Sequence, residues 1–288
     1  MRHGNTLISA DLALPPETLK LLNDAVLDKC DVNDGVRDRL IADPRNCNFD
    51  PGALKCKGTE TAGCLTPQQQ ETVNAAYTDL RSSTGELLFP RLPFGGELGW
   101  RLPAGAAAPG TMDIDIFRYI ANQDPDWDWR TFDLEKDIDR ALLHGKEIHA
   151  VDPDLTKYKA RGGKLLMYHG WSDGGSGGSI SGLNTVSYYE SVLKHMGLNQ
   201  DDWLRLFMVP GMDHCGGGTG PNQFNKLAAL ERWREQNEPP ESITAARVNE
   251  SGVIDMPRPL CPYPQQAVYR GSGSTNDAAN FTCKAKGN

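Results

Sequence analysis

Two short segments hold the residue types needed for proton transfer: Tyr168-His169-Gly170-Trp171-Ser172-Asp173 and Val209-Pro210-Gly211-Met212-Asp213-His214-Cys215-Gly216-Gly217-Gly218. Each follows an apolar run of strand length, Lys164 to Tyr168 and Leu204 to Val209. In open α/β sheets, ligands bind and reactive side chains gather beyond the carboxyl ends of the strands. An Asp on one such loop, followed about forty residues later by a His on the next, suits the acid and base of a hydrolase triad. The imidazole must take a proton from a weak nucleophile, and the carboxylate fixes its tautomer and stabilises the imidazolium. Asp173 is therefore expected to orient His214, while His169, close to its strand end, reads as a satisfied structural histidine.

The elements that must position these loops follow from the apolar periodicity. A helix is predicted from residue 15 to 29, where Pro15 and Pro16 start it and Leu19, Leu22, Val26 and Leu27 recur at helical spacing. A second begins at Thr66-Pro67-Gln68-Gln69, a capping-box pattern, and is expected to run to about Leu80. Residues 81–130 are rich in Pro and Gly yet hold Phe89, Phe94, Trp100, Phe117, Trp127 and Trp129, the composition of a cap or lid. From about residue 155 strand and helix alternate: helices over Asn184 to Met196 and Phe224 to Asn237 accompany the two strands, and Ile243 to Val248 and Ala267 to Arg270 add edge strands. The sheet so predicted is small for an independent α/β domain.

Composition narrows the function classes. Acidic residues outnumber basic ones by 38 to 30, the net charge is −8, and no long basic run occurs, which argues against a nucleic-acid partner. No apolar stretch approaches the ~20 residues of a membrane-spanning helix. Cys30 with Cys47, Cys56 with Cys64 and Cys261 with Cys283 would each close a short polar loop, as in proteins of oxidising compartments, so a secreted (extracellular or periplasmic) location is expected. Cys215 is left over. The first residues, Met1-Arg2-His3-Gly4-Asn5-Thr6, lack a signal peptide's apolar core. Together with the odd cysteine and the small sheet, this suggests that an upstream part is missing.

On the Cys30-Asp31-Val32-Asn33-Asp34-Gly35-Val36 segment, the Arg161-Gly162-Gly163-Lys164 lead-in, His169-Gly170-Trp171-Ser172-Asp173 and Pro210-Gly211-Met212-Asp213-His214-Cys215, the chain resembles the tannase and feruloyl esterase family of secreted serine hydrolases, from Leu19 to Cys283. The resemblance implies that Asp173 and His214 are triad members and that Cys215 pairs with a cysteine just before the catalytic serine. The family carries that serine on an upstream Gly-x-Cys-Ser-x-Gly elbow, and none precedes Asp173 here. The expected fold is therefore α/β, the C-terminal portion of an α/β-hydrolase with an inserted, disulfide-rich lid: residues 1–150 as lid, 151–288 as the end of the catalytic domain. The expected activity is hydrolysis of aromatic (phenolic) acid esters by a Ser-His-Asp mechanism whose Ser is absent from this chain. The alternative is a catalytically inactive, calcium-stabilised binding module or truncated remnant.

Asp31, Asn33, Asp34 and Asp38 gather oxygen ligands around Gly35, suited to a hard cation or to a solvated Asx-rich turn. The resemblance implies structural calcium, held by the carboxylates of Asp31, Asp34 and Asp38 and the carbonyls of Val36 and Leu40. Trp100, Phe117, Trp127, Trp129 and Phe132 are candidates for an aromatic wall around a small-molecule ester, and Arg101, Arg118 and Arg130 for a substrate carboxylate. Two patterns mislead. Gly174-Gly175-Ser176-Gly177-Gly178 satisfies Gly-x-Ser-x-Gly, but it follows the Asp within a Gly/Ser run rather than a strand. His144 to His149 matches neither zinc-protease spacing.

Overall fold

The computed structural model describes residues 12–100, 114–174, 180–249 and 251–285. Helix α1 (Pro16–Cys30) has proline in its first turn, where the fixed φ suits the helix and no N–H is wasted. It buries Leu22, Val26, Leu27 and Cys30 against Leu65, Val73, Leu92, Phe94 and Trp100. Helix α2 (Pro67–Ala76) is entered through a full capping box: the Thr66 side chain accepts the Gln69 N–H, and the Gln69 side chain accepts the Thr66 N–H. It stops short of the expected Leu80 because the chain turns at Tyr77 into a small hairpin, β1 (Leu80–Arg81) with β2 (Leu87–Phe89). Disulfides join Cys30 to Cys47 and Cys56 to Cys64 around the polar loops between these helices. Beyond them lie a π-helical turn, Ile116–Ala121, and helix α3 (Leu134–His144), capped by Asp133.

After a short helix α4 (Thr156–Ala160), strands β3 (Leu165–Gly170) and β4 (Leu204–Val209) pair in parallel, in register from Leu165↔Leu204 to Gly170↔Val209. The crossover is α5 (Gly182–Met196), capped by Ser181. Successive β4 side chains point to opposite faces. Leu204, Leu206 and Met208 pack with Trp171, Val186, Tyr189 and Val192 on the α5 side. Phe207 and Val209 join Ala229 of α6 (Lys226–Gln236) on the other side. An antiparallel sheet follows, β5 (Gln223–Phe224), β6 (Ile243–Val248) and β7 (Ile254–Leu260), and then the hairpin β8 (Gln265–Tyr269) and β9 (Phe281–Ala285), with Cys261 bonded to Cys283.

One hydrophobic cluster lies within residues 22–100 and two within 171–260, on either side of the expected division at 150. The two parts interlock. The Arg258 Nη2 of β7 donates to Asp38 Oδ2 over 2.6 Å in a nearly dry contact. Arg45 lies 4.5 Å over the Tyr263 ring and hydrogen-bonds its hydroxyl. Ser172 Oγ donates to Gly95 O. The N-terminal part is thus joined to the sheet layer, and through Ser172 to one of the loops expected to carry the chemistry.

Candidate active site

Because β3 and β4 end in register, the two motif-bearing loops leave the sheet side by side. They approach so closely that a Cβ on Gly170 would lie 2.1 Å from Met212 O and 2.8 Å from Asp213 O, so only glycine fits there. The contact is stitched by Trp171 N–H to Val209 O at 2.8 Å and Ser172 N–H to Met212 O at 3.1 Å. The neighbouring residues then meet: His214 Nδ1 stands 2.9 Å from Asp173 Oδ2. The Asp173 side chain is 2% exposed and that of His214 63%. A carboxylate withdrawn from water needs hydrogen-bonded partners, and an imidazole N–H is a strong one. With Nδ1–H given to Asp173, the free lone pair of His214 sits on Nε2 at the open face, the arrangement of a general base.

His169 reaches the same oxygen. Its Nε2 is 3.1 Å from Asp173 Oδ2 and 2.9 Å from Ile180 O, and its Nδ1 is 2.7 Å from Thr185 Oγ1. Cys215 is a free, exposed thiol held at φ +59°, with Sγ 3.9 Å from His214 Nε2.

Sequence reasoning missed Glu97. It is fully buried at the base of the lid, where its carboxylate accepts from Asn23 Nδ2 at 2.6 Å, the Tyr77 hydroxyl at 2.6 Å and Gly95 N–H at 2.8 Å. Burial pushes its carboxyl above the ordinary range despite these donors. The turn it ties down lies on the Asp173 loop: a Cβ on Gly96 would be 3.0 Å from the Ser172 Cα and carbonyl oxygen. A Glu among Gly and Pro gives no sequence signal of this kind, since the donors come from α1 and from the end of α2.

The expected calcium set is Asp31, Asp34 and Asp38 with the carbonyls of Val36 and Leu40. Among the described residues no group of three or more His, Cys, Asp or Glu side chains is arranged to hold a metal ion. Asp31 Oδ1 instead accepts the N–H groups of Asp38 and Leu40, Asp34 Oδ1 accepts the N–H of Val36, and Asp38 is paired with Arg258. The N–H groups of Val36 and Leu40 serve these carboxylates, and the Arg258 guanidinium supplies positive charge beside Asp38. Burial raises both Asp31 and Asp34, the latter to about 7.

The aromatic candidates divide. Phe117 stacks with Trp127 at 6.1 Å and Phe132 at 5.0 Å as internal packing, and Trp100 lies against Tyr77 at 5.1 Å in the lid core. Trp129 is covered by Arg130, which also pairs with Asp128, and Arg118 pairs with Asp115. Arg101 and Ser176 lie outside the described residues.

The family model described as tannase and feruloyl esterase matches residues 3–284. Among curated relatives, a probable feruloyl esterase B-2 of Aspergillus terreus is 31% identical over 95% of this chain and 55% of its own length. A mono(2-hydroxyethyl) terephthalate hydrolase of Piscinibacter sakaiensis is 33% identical over 93% of this chain and 51% of its own. The crystal structure of an esterase from Aspergillus oryzae superposes with a TM-score of 0.88 at 29% identity, covering 98% of this chain and 60% of that one. The chain spans about half the length of the curated relatives it matches. The match over residues 3–284 corrects the expected bounds of the likeness, Leu19 to Cys283. Likeness runs through nearly the whole sequence, and the physical counterpart is the interlocking of lid and sheet loops at Gly95, Ser172, Asp38 and Arg258. The α/β-hydrolase-like fold is accordingly assigned across the chain.

Proposed function

We propose that this chain, which belongs to the tannase and feruloyl esterase family, supplies the acid and base for hydrolysis of carboxylic esters of aromatic acids. The observation that carries the reading is the buried Asp173 carboxylate, 2.9 Å from Nδ1 of an imidazole whose other nitrogen faces outward. In a Ser-His-Asp mechanism, His214 Nε2 takes the proton of the attacking hydroxyl as it adds to the ester carbonyl. The resulting imidazolium is stabilised by Asp173, and the proton then passes to the departing alcohol oxygen. Water, activated by the same imidazole, releases the acid. Among the described residues no serine hydroxyl hydrogen-bonds to His214 Nε2. We therefore place the nucleophile outside them.

Aromatic acids are favoured as substrates because two relatives are named for feruloyl and terephthalate esters. The disulfides suit a secreted protein, and among the described residues no helix is long and apolar enough to cross a membrane. The test is acid release from methyl ferulate and methyl gallate, with methyl butyrate as the aliphatic control, near neutral pH. Wild type is expected to prefer the aromatic esters, and Asp173→Asn to lose about 10⁴-fold in kcat, since an amide imposes the wrong tautomer on His214. Turnover of the aromatic esters that is untouched by Asp173→Asn and His214→Ala overturns the reading.

A further inference from the structure

We infer that His169 is a positioning residue that fixes the Asp173 carboxylate, and through it the tautomer of His214. The inference rests on the acid and base assignment above and deepens it.

The hydrogen-bond partners of His169 determine where its protons are. Nε2 faces a carboxylate oxygen, Asp173 Oδ2 at 3.1 Å, and a backbone carbonyl, Ile180 O at 2.9 Å. An ionised carboxylate and a carbonyl accept and do not donate, so Nε2 carries the hydrogen. Nδ1, 2.7 Å from Thr185 Oγ1, is then the bare nitrogen of the neutral ring and accepts the threonine hydroxyl proton. In the cationic ring the hydroxyl turns and accepts instead. In both charge states the N–H aimed at Asp173 is retained.

Asp173 Oδ2 therefore faces two imidazole N–H groups, that of His214 Nδ1 at 2.9 Å and that of His169 Nε2 at 3.1 Å, the latter shared with Ile180 O at 2.9 Å. They arrive from different elements: His169 belongs to β3, and His214 to the loop after β4. The freedom of a carboxylate to rotate about its Cβ–Cγ bond would cost it its line to the base. Donors on two sides remove that freedom, and the 2% exposure of the side chain leaves little room for water to replace either. His169 is itself anchored by Thr185 in α5 and by Ile180 just before that helix. The acid is thereby referenced to the crossover helix as well as to the strand, which is more than a buried histidine needs for its own satisfaction.

The test is long-range ¹H–¹⁵N NMR of His214 in the folded chain, which reads the Nδ1–H and Nε2–H tautomers directly, alongside ester hydrolysis. In the wild type His214 is expected as the Nδ1–H tautomer. His169→Phe keeps a ring but removes both nitrogens. It should bring the Nε2–H tautomer to a comparable population and lower kcat by up to about 10²-fold with KM little changed, the scale of a small misplacement of a reacting group. His169→Gln, whose amide can donate to Asp173, should recover most of both. Thr185→Val, which frees the ring without deleting it, should show a smaller shift in the same direction, and it decides the matter if His169→Phe does not fold. A His214 signal that stays wholly Nδ1–H in folded His169→Phe, or in Thr185→Val where that variant must decide, overturns the inference. The NMR result stands apart from turnover: ester hydrolysis untouched by Asp173→Asn refutes the proposed reaction, yet the tautomer still answers for His169.

Discussion

Substituting Gly170 by alanine tests whether the site depends on the close approach of its two loops. The new Cβ would stand 2.1 Å from Met212 O, 2.7 Å from Met212 C and 2.8 Å from Asp213 O. A carbon and a carbonyl oxygen rest at about 3.3 Å, so the loops must part by about 1 Å. Neither yields easily: Met212 is buried, and its carbonyl already accepts the Ser172 N–H at 3.1 Å, next to the Trp171 N–H bond to Val209 O. Overpacking of this kind costs about 1–3 kcal/mol, and weakening two buried backbone hydrogen bonds adds about 1 kcal/mol each. A total loss of about 3–5 kcal/mol is expected, read as a lower urea midpoint at constant m. Separation of Met212 and Asp213 from Gly170 carries His214 away from Asp173, so the Nδ1–H signal of His214 should weaken and ester turnover should fall by about 10²-fold. A Gly170→Ala protein within about 1 kcal/mol of wild type and with an unaltered His214 signal would refute the argument.

Two further predictions concern the parts that brace the site. Burial holds the Glu97 carboxyl above its ordinary value, so the folded state keeps that proton to higher pH than the unfolded chain. The stability Glu97 contributes is present at acid pH and declines as pH rises through its folded value. The cost of Glu97→Gln, measured by urea unfolding from pH 4 to 8, should therefore shrink toward higher pH, and a cost that grows instead contradicts the assignment. Arg258→Met should destabilise by about 3–5 kcal/mol, because it leaves Asp38 nearly buried and unpaired beside Asp31 and Asp34. Adding Asp38→Asn should recover much of that loss in thermal melts, and additivity of the two substitutions would argue against the pair.

What the sequence made legible were features specified by neighbours along the chain. The apolar-rich runs Leu165 to Tyr168 and Leu204 to Val209 announced β3 and β4, and the prolines at the start of α1 and the Thr66 capping box announced two helices. Asp173 and His214 stood out because each follows a strand directly, so strand pairing alone brings their loops together. Features specified by distant partners stayed hidden. Pro257 and Pro259 argue against a strand, yet β7 forms because β6 pairs with it at Thr244↔Pro259 and Ala245↔Arg258. The oxygen-rich run from Asp31 to Asp38 suggested a cation, and the charge it meets is Arg258, 220 residues away from Asp38.

This difference explains how an exposed base can work with a buried acid. His214 must meet solvent and substrate, so the burden of holding the geometry falls on Asp173 and the loop around it. That loop is held by the His214 loop through Met212 O, by the lid through Gly95 O, and by His169 from its own strand. The lid contact is in turn held by Glu97, which gathers Asn23 of α1 and Tyr77 at the end of α2 around one turn. Loosening the lid core should therefore be felt at Asp173 before it is felt in the sheet. A stabilising substitution confined to the sheet would not restore it, because the contact through Gly95 O is one that the sheet does not make.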